Sequence, residues 1–197
     1  MREKGKVLLA WSSGKDGAFA LHLLRGDGIA VSGLLTTIDD AADRVSMHAV
    51  RLSLLRQQAE AVGLPLVEVR LPSPCSNRDY ETAMGRALSA AREEGVRAVA
   101  FGDIFLEDVR RYRETKMATC VDPRLLPPRF AGRAFDAALL EELPETVDPC
   151  GERGEFHIFA WSGPGFRRAV PCRPGEIVQH EGFVFADLRP EARGEAA

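Results

Sequence analysis

Two periods alternate along the first hundred residues. Lys6–Trp11 is a continuous Val/Leu run without a polar face, the mark of a strand buried on both sides. Asp16–Arg25 then sets Ala18, Leu21, His22, Leu24 and Arg25 at helical spacing and stops at Gly26-Asp27-Gly28. Ile29–Ile38 predicts a second strand. Val50–Val62 predicts an amphipathic helix with Leu52, Leu55, Ala59 and Val62 on one stripe and Gly63 as its stop. Leu66–Leu71 reads as a third strand closed by Pro72 and Pro74, Asn77–Glu94 as a helix stopped by Gly95, and Ala98–Phe101 as a fourth strand. Such strand–helix repetition with short connections predicts right-handed crossovers and a mostly parallel sheet covered on both faces. The expected fold class is a three-layer α/β sandwich of Rossmann-like type. Ligands of such sheets sit beyond the carboxyl ends of the strands, near the point where strand order reverses.

The pattern degrades after Met117. Asp122–Arg133 carries three prolines and reads as loop, Phe135–Leu143 as a short helix, and Val147–Trp161 as turns with a strand. Ala169–Cys172, Ile177–His180 and Gly182–Leu188 suit a small antiparallel hairpin, and Arg189–Ala197 reads as a frayed polar end. The expected organisation is a nucleotide-binding domain over residues 1–121 and a smaller β-containing, substrate-side region over residues 122–197.

Charge and composition narrow the partners. The 197 residues are 45% hydrophobic, enough to bury a core, and the formal charge of −3 leaves no footprint for non-specific nucleic-acid binding. Arg110, Arg111 and Arg113 alternate with Glu107, Asp108 and Glu114, which reads as a solvated helix face before a binding patch. The apolar run at Val7–Trp11 is too short for a signal segment, and no stretch approaches the roughly 18 apolar residues of a spanning helix. Cytoplasmic residence without a membrane partner is expected. Cys75, Cys120, Cys150 and Cys172 lack zinc spacing and are expected to be reduced.

Candidate chemistry starts at Ser12-Ser13-Gly14-Lys15-Asp16-Gly17, between the first strand and the first helix. Small residues there let backbone N–H groups converge on an anion, and the helix dipole adds to the attraction. The loop is neither a Walker A nor a dinucleotide fingerprint. An ordinary strand–helix turn capped by Ser13 or Asp16 is the other reading of the same residues. A second cluster, Asp148-Pro149-Cys150-Gly151-Glu152-Arg153-Gly154-Glu155-Phe156-His157, has two glycines that permit a tight turn presenting Glu152, Glu155 and His157 together. Acids beside a histidine bind Mg²⁺, orient an amine or serve as a base. A polar turn before a strand fits them as well. Asp103, at the end of the fourth strand, suits Mg²⁺ or ribose, or a helix N-cap. His48 opens a helix and suits phosphate, substrate or plain surface. Trp11 reads as core, and Cys150 as packing.

The Ser-Ser-Gly-Lys-Asp-Gly loop closely resembles the Ser-Gly-Gly-x-Asp-Ser loop of the PP-loop ATP pyrophosphatases of the adenine nucleotide alpha hydrolase superfamily, with Gly17 in place of the usual Ser. The second cluster, followed by Gly163-Pro164-Gly165-Phe166, resembles the GEGGEFHT-type motif of the diphthine–ammonia ligase group, bacterial members included. Met47-His48, Arg51 and Gly102-Asp103-Ile104 look like that group too.

This resemblance implies ATP-dependent amidation, in which a carboxylate is adenylated and ammonia displaces AMP. Implied partners are ATP, Mg²⁺, ammonia or an amine donor, and a carboxylate of unassigned identity, with homo-oligomerisation left open. It implies that Ser12, Ser13, Gly14, Lys15, Asp16, Gly17, Gly102 and Asp103 hold the nucleotide, with Asp16 and Asp103 toward the metal. Glu152, Glu155 and His157 would be catalytic, and His48 and Asp148 would face substrate. Arg153 departs from the small or amide-bearing residue usual there, and Glu114–Val121 is short against the group. A sulfur-transferring PP-loop enzyme or a non-catalytic nucleotide-binding module shares the first loop. The former would want a basic surface or paired cysteines, and the latter would not need the acidic cluster.

Overall fold

In the computed structural model, which describes residues 5–102, 131–134, 136–149, 151, 156–180 and 183–191, the first Val/Leu run forms strand β1 (Lys6–Ala10). Helix α1 (Lys15–Gly26) follows, then β2 (Val31–Asp39), a two-residue β3 (Arg44–Val45), α2 (Leu52–Val62), β4 (Leu66–Leu71), α3 (Asn77–Glu93) and β5 (Val96–Ala100). β1 pairs in parallel with β2 and with β5, and β2 pairs in parallel with β4. The parallel order is therefore β4-β2-β1-β5, with β3 antiparallel to the end of β2. The order reverses between β1 and β5, which makes that junction the switch point of the sheet.

Alternate residues of the strands feed two cores. Leu9, Trp11, Leu34 and Ile38 join Leu21 of α1 and Leu52, Leu55, Ala59 and Val62 of α2. Leu8, Leu35, Val69 and Leu71 join Ala91 of α3, with Tyr80, Ala83, Met84 and Ala87 against them. Burying a Leu or Val contributes about 1.5–3 kcal/mol. Both faces of the sheet thus favour apolar residues, which run almost unbroken along β1, whereas β4 carries Glu68 and Arg70 and β5 carries Arg97. The three-layer α/β sandwich is the observed fold.

Strand β3 was not expected. Ile38 faces Val45 and Asp39 faces Arg44, and Ser46 N donates to Thr37 O at 2.9 Å. These bonds continue the edge of β2 that β1 occupies as far as the Trp11 N to Leu35 O bond, 2.9 Å. The turn after β3 therefore lies just beyond the carboxyl end of β1.

Two compact units divide the chain, Met1–Gly102 with Phe159–Val170, and Asp103–Ile158 with Pro171–Ala197. In the first, the returning segment is held by Ala160 N to Ser13 O, 2.9 Å, and Arg167 N to Ala61 O, 2.7 Å. In the second, α4 (Ala137–Glu142) is capped by Asp136, whose side chain accepts from Leu139 N at 2.9 Å. That unit also holds β6 (Cys172–Arg173), β7 (Ile177–His180), β8 (Phe183–Ala186) and β9 (Arg189–Pro190). The antiparallel hairpin is β7–β8, whereas β6 pairs with β9. Arg189 and Pro190, expected to fray, are thus a strand. The strand expected within Val147–Trp161 does not form among the described residues there. Arg110, Arg111, Arg113, the stretch Glu114–Val121, Cys120 and Cys150 lie outside the described residues, and Cys75 and Cys172 are free thiols. Among the described residues no helix is long and apolar enough to cross a membrane.

Candidate functional site

Ser12–Gly17 leaves β1 at the switch point and enters α1. The N-cap of α1 is Gly14, with no side-chain capping bond, so neither Ser13 nor Asp16 caps the helix. α3 contrasts with it: the Ser76 side chain and the Asp79 carboxylate close a reciprocal capping box. At α2, Leu52 N is taken by Asp43 O, 3.1 Å. An N-terminus left without a capping side chain keeps its first amides available to an anion.

The loop conformation is unusual and firmly held. Ser13 is 1% exposed and has φ 70°, the left-handed region that a non-glycine residue enters at a cost of roughly 1–2 kcal/mol. Its carbonyl accepts two N–H groups, from Ala160 at 2.9 Å and from Gln58 Nε2 at 3.0 Å. Gln58 is fully buried; its other N–H donates to Ala160 O at 2.7 Å, and its oxygen accepts from Trp11 Nε1 at 3.0 Å. Each bond contributes about 1 kcal/mol, enough together to offset the strain at Ser13. Trp11 is core, as its sequence position suggested, and Thr36 Oγ1 donates to its carbonyl at 2.7 Å.

Lys15 and Asp16 form an ion pair of 2.5 Å while both stay partly exposed, at 32% and 45%. Gly17 lies against the indole; a Cβ there would stand 3.3 Å from Trp11 Cε3. After β5 the chain returns to the same place at Gly102. A Cβ on Gly102 would fall 2.7 Å from the carbonyl carbon and oxygen of Asp16 and 2.9 Å from Gly17 N. The loop after β1 and the end of β5 are thus in backbone contact, and only glycine permits it.

Residues 5–119 match the model of the diphthamide synthase N-terminal domain. The chain belongs to that family. No curated protein matches it. Within the matched residues of this diphthamide synthase family lie Ser12–Gly17, His48, Gly102 and Asp103; Asp148, Glu152, Glu155 and His157 follow them in the chain. The PP-loop membership drawn from the motifs stands, and ATP binding is what the family implies.

The structure brings together Ser12, Ser13, Gly14, Lys15, Asp16, Gly17 and Gly102. His48 sits in the turn after β3, flanked by Met47 with φ 66° and Ala49 with φ 54°. Asp148 and His157 belong to the second unit. Asp148 O accepts Gly151 N–H at 2.8 Å, and Gly151 has φ 66°; Gly154, the second glycine of the expected turn, lies outside the described residues. Phe156 folds onto that turn, its ring 3.1 Å from where a Gly151 Cβ would be. His157 is exposed. Asp103, Glu152 and Glu155 lie outside the described residues. Among the described residues no cluster of three His, Cys, Asp or Glu could hold a metal. Mg²⁺ that travels with a nucleotide takes one or two carboxylates and keeps phosphates and waters for the rest, so Asp16 fits that demand.

Gln58 is the residue that sequence reasoning missed. The signal was present: a glutamine stands next to Ala59 and three residues after Leu55, on the apolar stripe of α2. A polar side chain on a buried face has a fixed partner in most folds.

Proposed function

We propose that this protein is an ATP-dependent ligase that adenylates a carboxylate and amidates it with ammonia or an amine, releasing AMP and pyrophosphate. The observation that carries the reading is the uncapped α1 terminus joined to a Ser12–Gly17 loop at the switch point, in a chain of the diphthamide synthase family. ATP would lay its triphosphate on the loop amides with the hydroxyl of Ser12 and the ammonium of Lys15, while the Ser13 hydroxyl, buried and bonded to Ser12 O, stays out of that grip. Asp16 and Asp103 would hold Mg²⁺, which would neutralise charge on the polyphosphate. In this reading Lys15 exchanges its bond to Asp16 for a phosphate oxygen, which leaves the carboxylate for the metal. Gly102 gives the room in which the loop closes.

Adenylation turns a poor carboxylate leaving group into AMP. The acceptor carboxylate attacks the α-phosphorus, the bond to the bridging oxygen breaks, and pyrophosphate departs with that electron pair. Ammonia then attacks the acyl carbon, loses a proton to a base and expels AMP. We assign the second half-reaction to Glu152, Glu155 and His157, with substrate contacts from Asp148 and His48. Clustered carboxylates repel a triphosphate directly, so an amine-facing role suits these acids better than a grip on ATP.

The test is product analysis with Mg·ATP, ammonium and a panel of carboxylates. The reading expects substrate-dependent AMP and pyrophosphate. ADP and phosphate as sole products would sink it, and tight nucleotide binding without turnover on any carboxylate would leave a binding module in its place.

A further inference from the structure

We propose that Gln58 is a positioning residue for the phosphate loop, setting the direction of the Gly14 N–H through the carbonyl of Ser13. The proposal rests on the reading of Ser12–Gly17 as the triphosphate site. Both N–H groups of the carboxamide are spent on carbonyls, Ser13 O at 3.0 Å and Ala160 O at 2.7 Å, and its oxygen faces the indole N–H of Trp11 at 3.0 Å. Turning the amide over would set oxygen against two carbonyls and NH₂ against an N–H, so its partners leave it a single orientation.

The consequence follows from the peptide bond. In a planar trans peptide the carbonyl of Ser13 and the N–H of Gly14 point in opposite directions. Fixing the carbonyl toward Gln58 and Ala160 turns the Gly14 N–H away from both. On the far side of Gly14, its own carbonyl accepts Ala18 N–H at 3.2 Å and begins the helix. Both peptide planes of the glycine are thereby determined, one by Gln58 and one by α1. A free loop would spread the Ser13–Gly14 plane over other orientations, because φ 70° at Ser13 is a conformation serine does not favour. Gln58 holds the loop in its anion-receiving form before nucleotide arrives, and preorganisation of this kind raises affinity without adding a contact.

The experiment compares wild type, Gln58→Met and Gln58→Glu by amide NMR of Gly14 and by Mg·ATP titration, well below each melting temperature. Methionine keeps the volume and loses every hydrogen bond. A neutral glutamic acid keeps the acceptor for Trp11 and one donor for two carbonyls, which also guards against a methionine variant that does not fold. The expected result is a displaced Gly14 amide in the nucleotide-free protein and a loss of Mg·ATP affinity of tenfold or more for Gln58→Met, with Gln58→Glu between it and wild type. Lower melting temperatures with Gly14 and the affinity unmoved would make Gln58 a structural residue only and overturn the proposal. If ATP shifts no loop amide even in wild type, the ATP reading fails by itself, while a displaced Gly14 in the variants still supports the positioning.

Discussion

At Gly102 one methyl group decides whether two loops can touch. Its Cβ would overlap the Asp16 carbonyl at 2.7 Å, and the atoms it meets are backbone, which cannot swing aside as a flexible side chain can. Gly102→Ala should cost about 1–3 kcal/mol of stability and weaken Mg·ATP binding at least tenfold. Unchanged melting and unchanged calorimetric affinity together would contradict the close approach. Gly17 differs in degree. Its Cβ would stand 3.3 Å from Trp11 Cε3, and the indole is tethered through Nε1 to Gln58. Gly17→Ser should therefore lower the melting temperature modestly, about 1 kcal/mol by overpacking, while the added hydroxyl tightens Mg·ATP binding. A serine variant more stable than wild type would show that the indole yields. The loop was legible as a turn of small residues after a buried strand, and Gly102 only through the resemblance to a known family. Gln58 was overlooked, because a glutamine on the apolar stripe of α2 signals buried partners without naming them, and Trp11, Ser13 and Ala160 lie far from it in sequence.

Among the elements, α3 gives the clearest pH dependence. The Ser76 hydroxyl and backbone N–H hold the Asp79 carboxyl below the usual aspartate range. Since the folded value is depressed, the capping box adds stability above the unfolded value of about 4. That stability is lost as pH falls through the depressed folded value. Asp79→Asn should thus melt lower than wild type at pH 7, with the gap closing below about pH 4. A gap constant from pH 7 to pH 3 would remove the charge from the account. Glu68 is also held low, first by its hydrogen bond from Arg56, and follows the same sign. Strands and helices of the first hundred residues were legible within a few residues, because short Val- and Leu-rich runs alternate with helical spacing and glycines such as Gly63 and Gly95 mark where the helices stop. Two-residue strands were less so: β3 and β9 are made by pairing, Arg44–Val45 and Arg189–Pro190 carry no periodic signal, and of β6 only Cys172 fell within an expected segment, Ala169–Cys172.

On the scale of the whole molecule, sequence order and spatial grouping part company. Phe159–Val170 returns to the first unit, where it supplies Ala160 to the Ser13–Gln58 network and Phe166 to the core, with the Phe166 ring 6.4 Å from that of Trp11. Nothing in its composition marks it as part of the loop's support; the Ala160 N–H to Ser13 O bond, the Gln58 bond to Ala160 O and the Phe166–Trp11 ring contact do. The matched family domain covers residues 5–119, and the acidic Gly-Glu-x-Gly-Glu-Phe-His stretch follows it. Glu155→Gln should accordingly leave ATP affinity within a few-fold while reducing substrate-dependent pyrophosphate release by roughly 10²–10⁴. Full turnover in that variant, with a lower melting temperature, would make the stretch a structural turn. The claim on which all of this depends is that the triphosphate sits on Ser12–Gly17, and calorimetric titration of Mg·ATP into wild type and Asp16→Ala tests it most directly. The account requires saturable binding by wild type and at least tenfold weaker binding by the variant; equal affinities in the two proteins would place the nucleotide elsewhere.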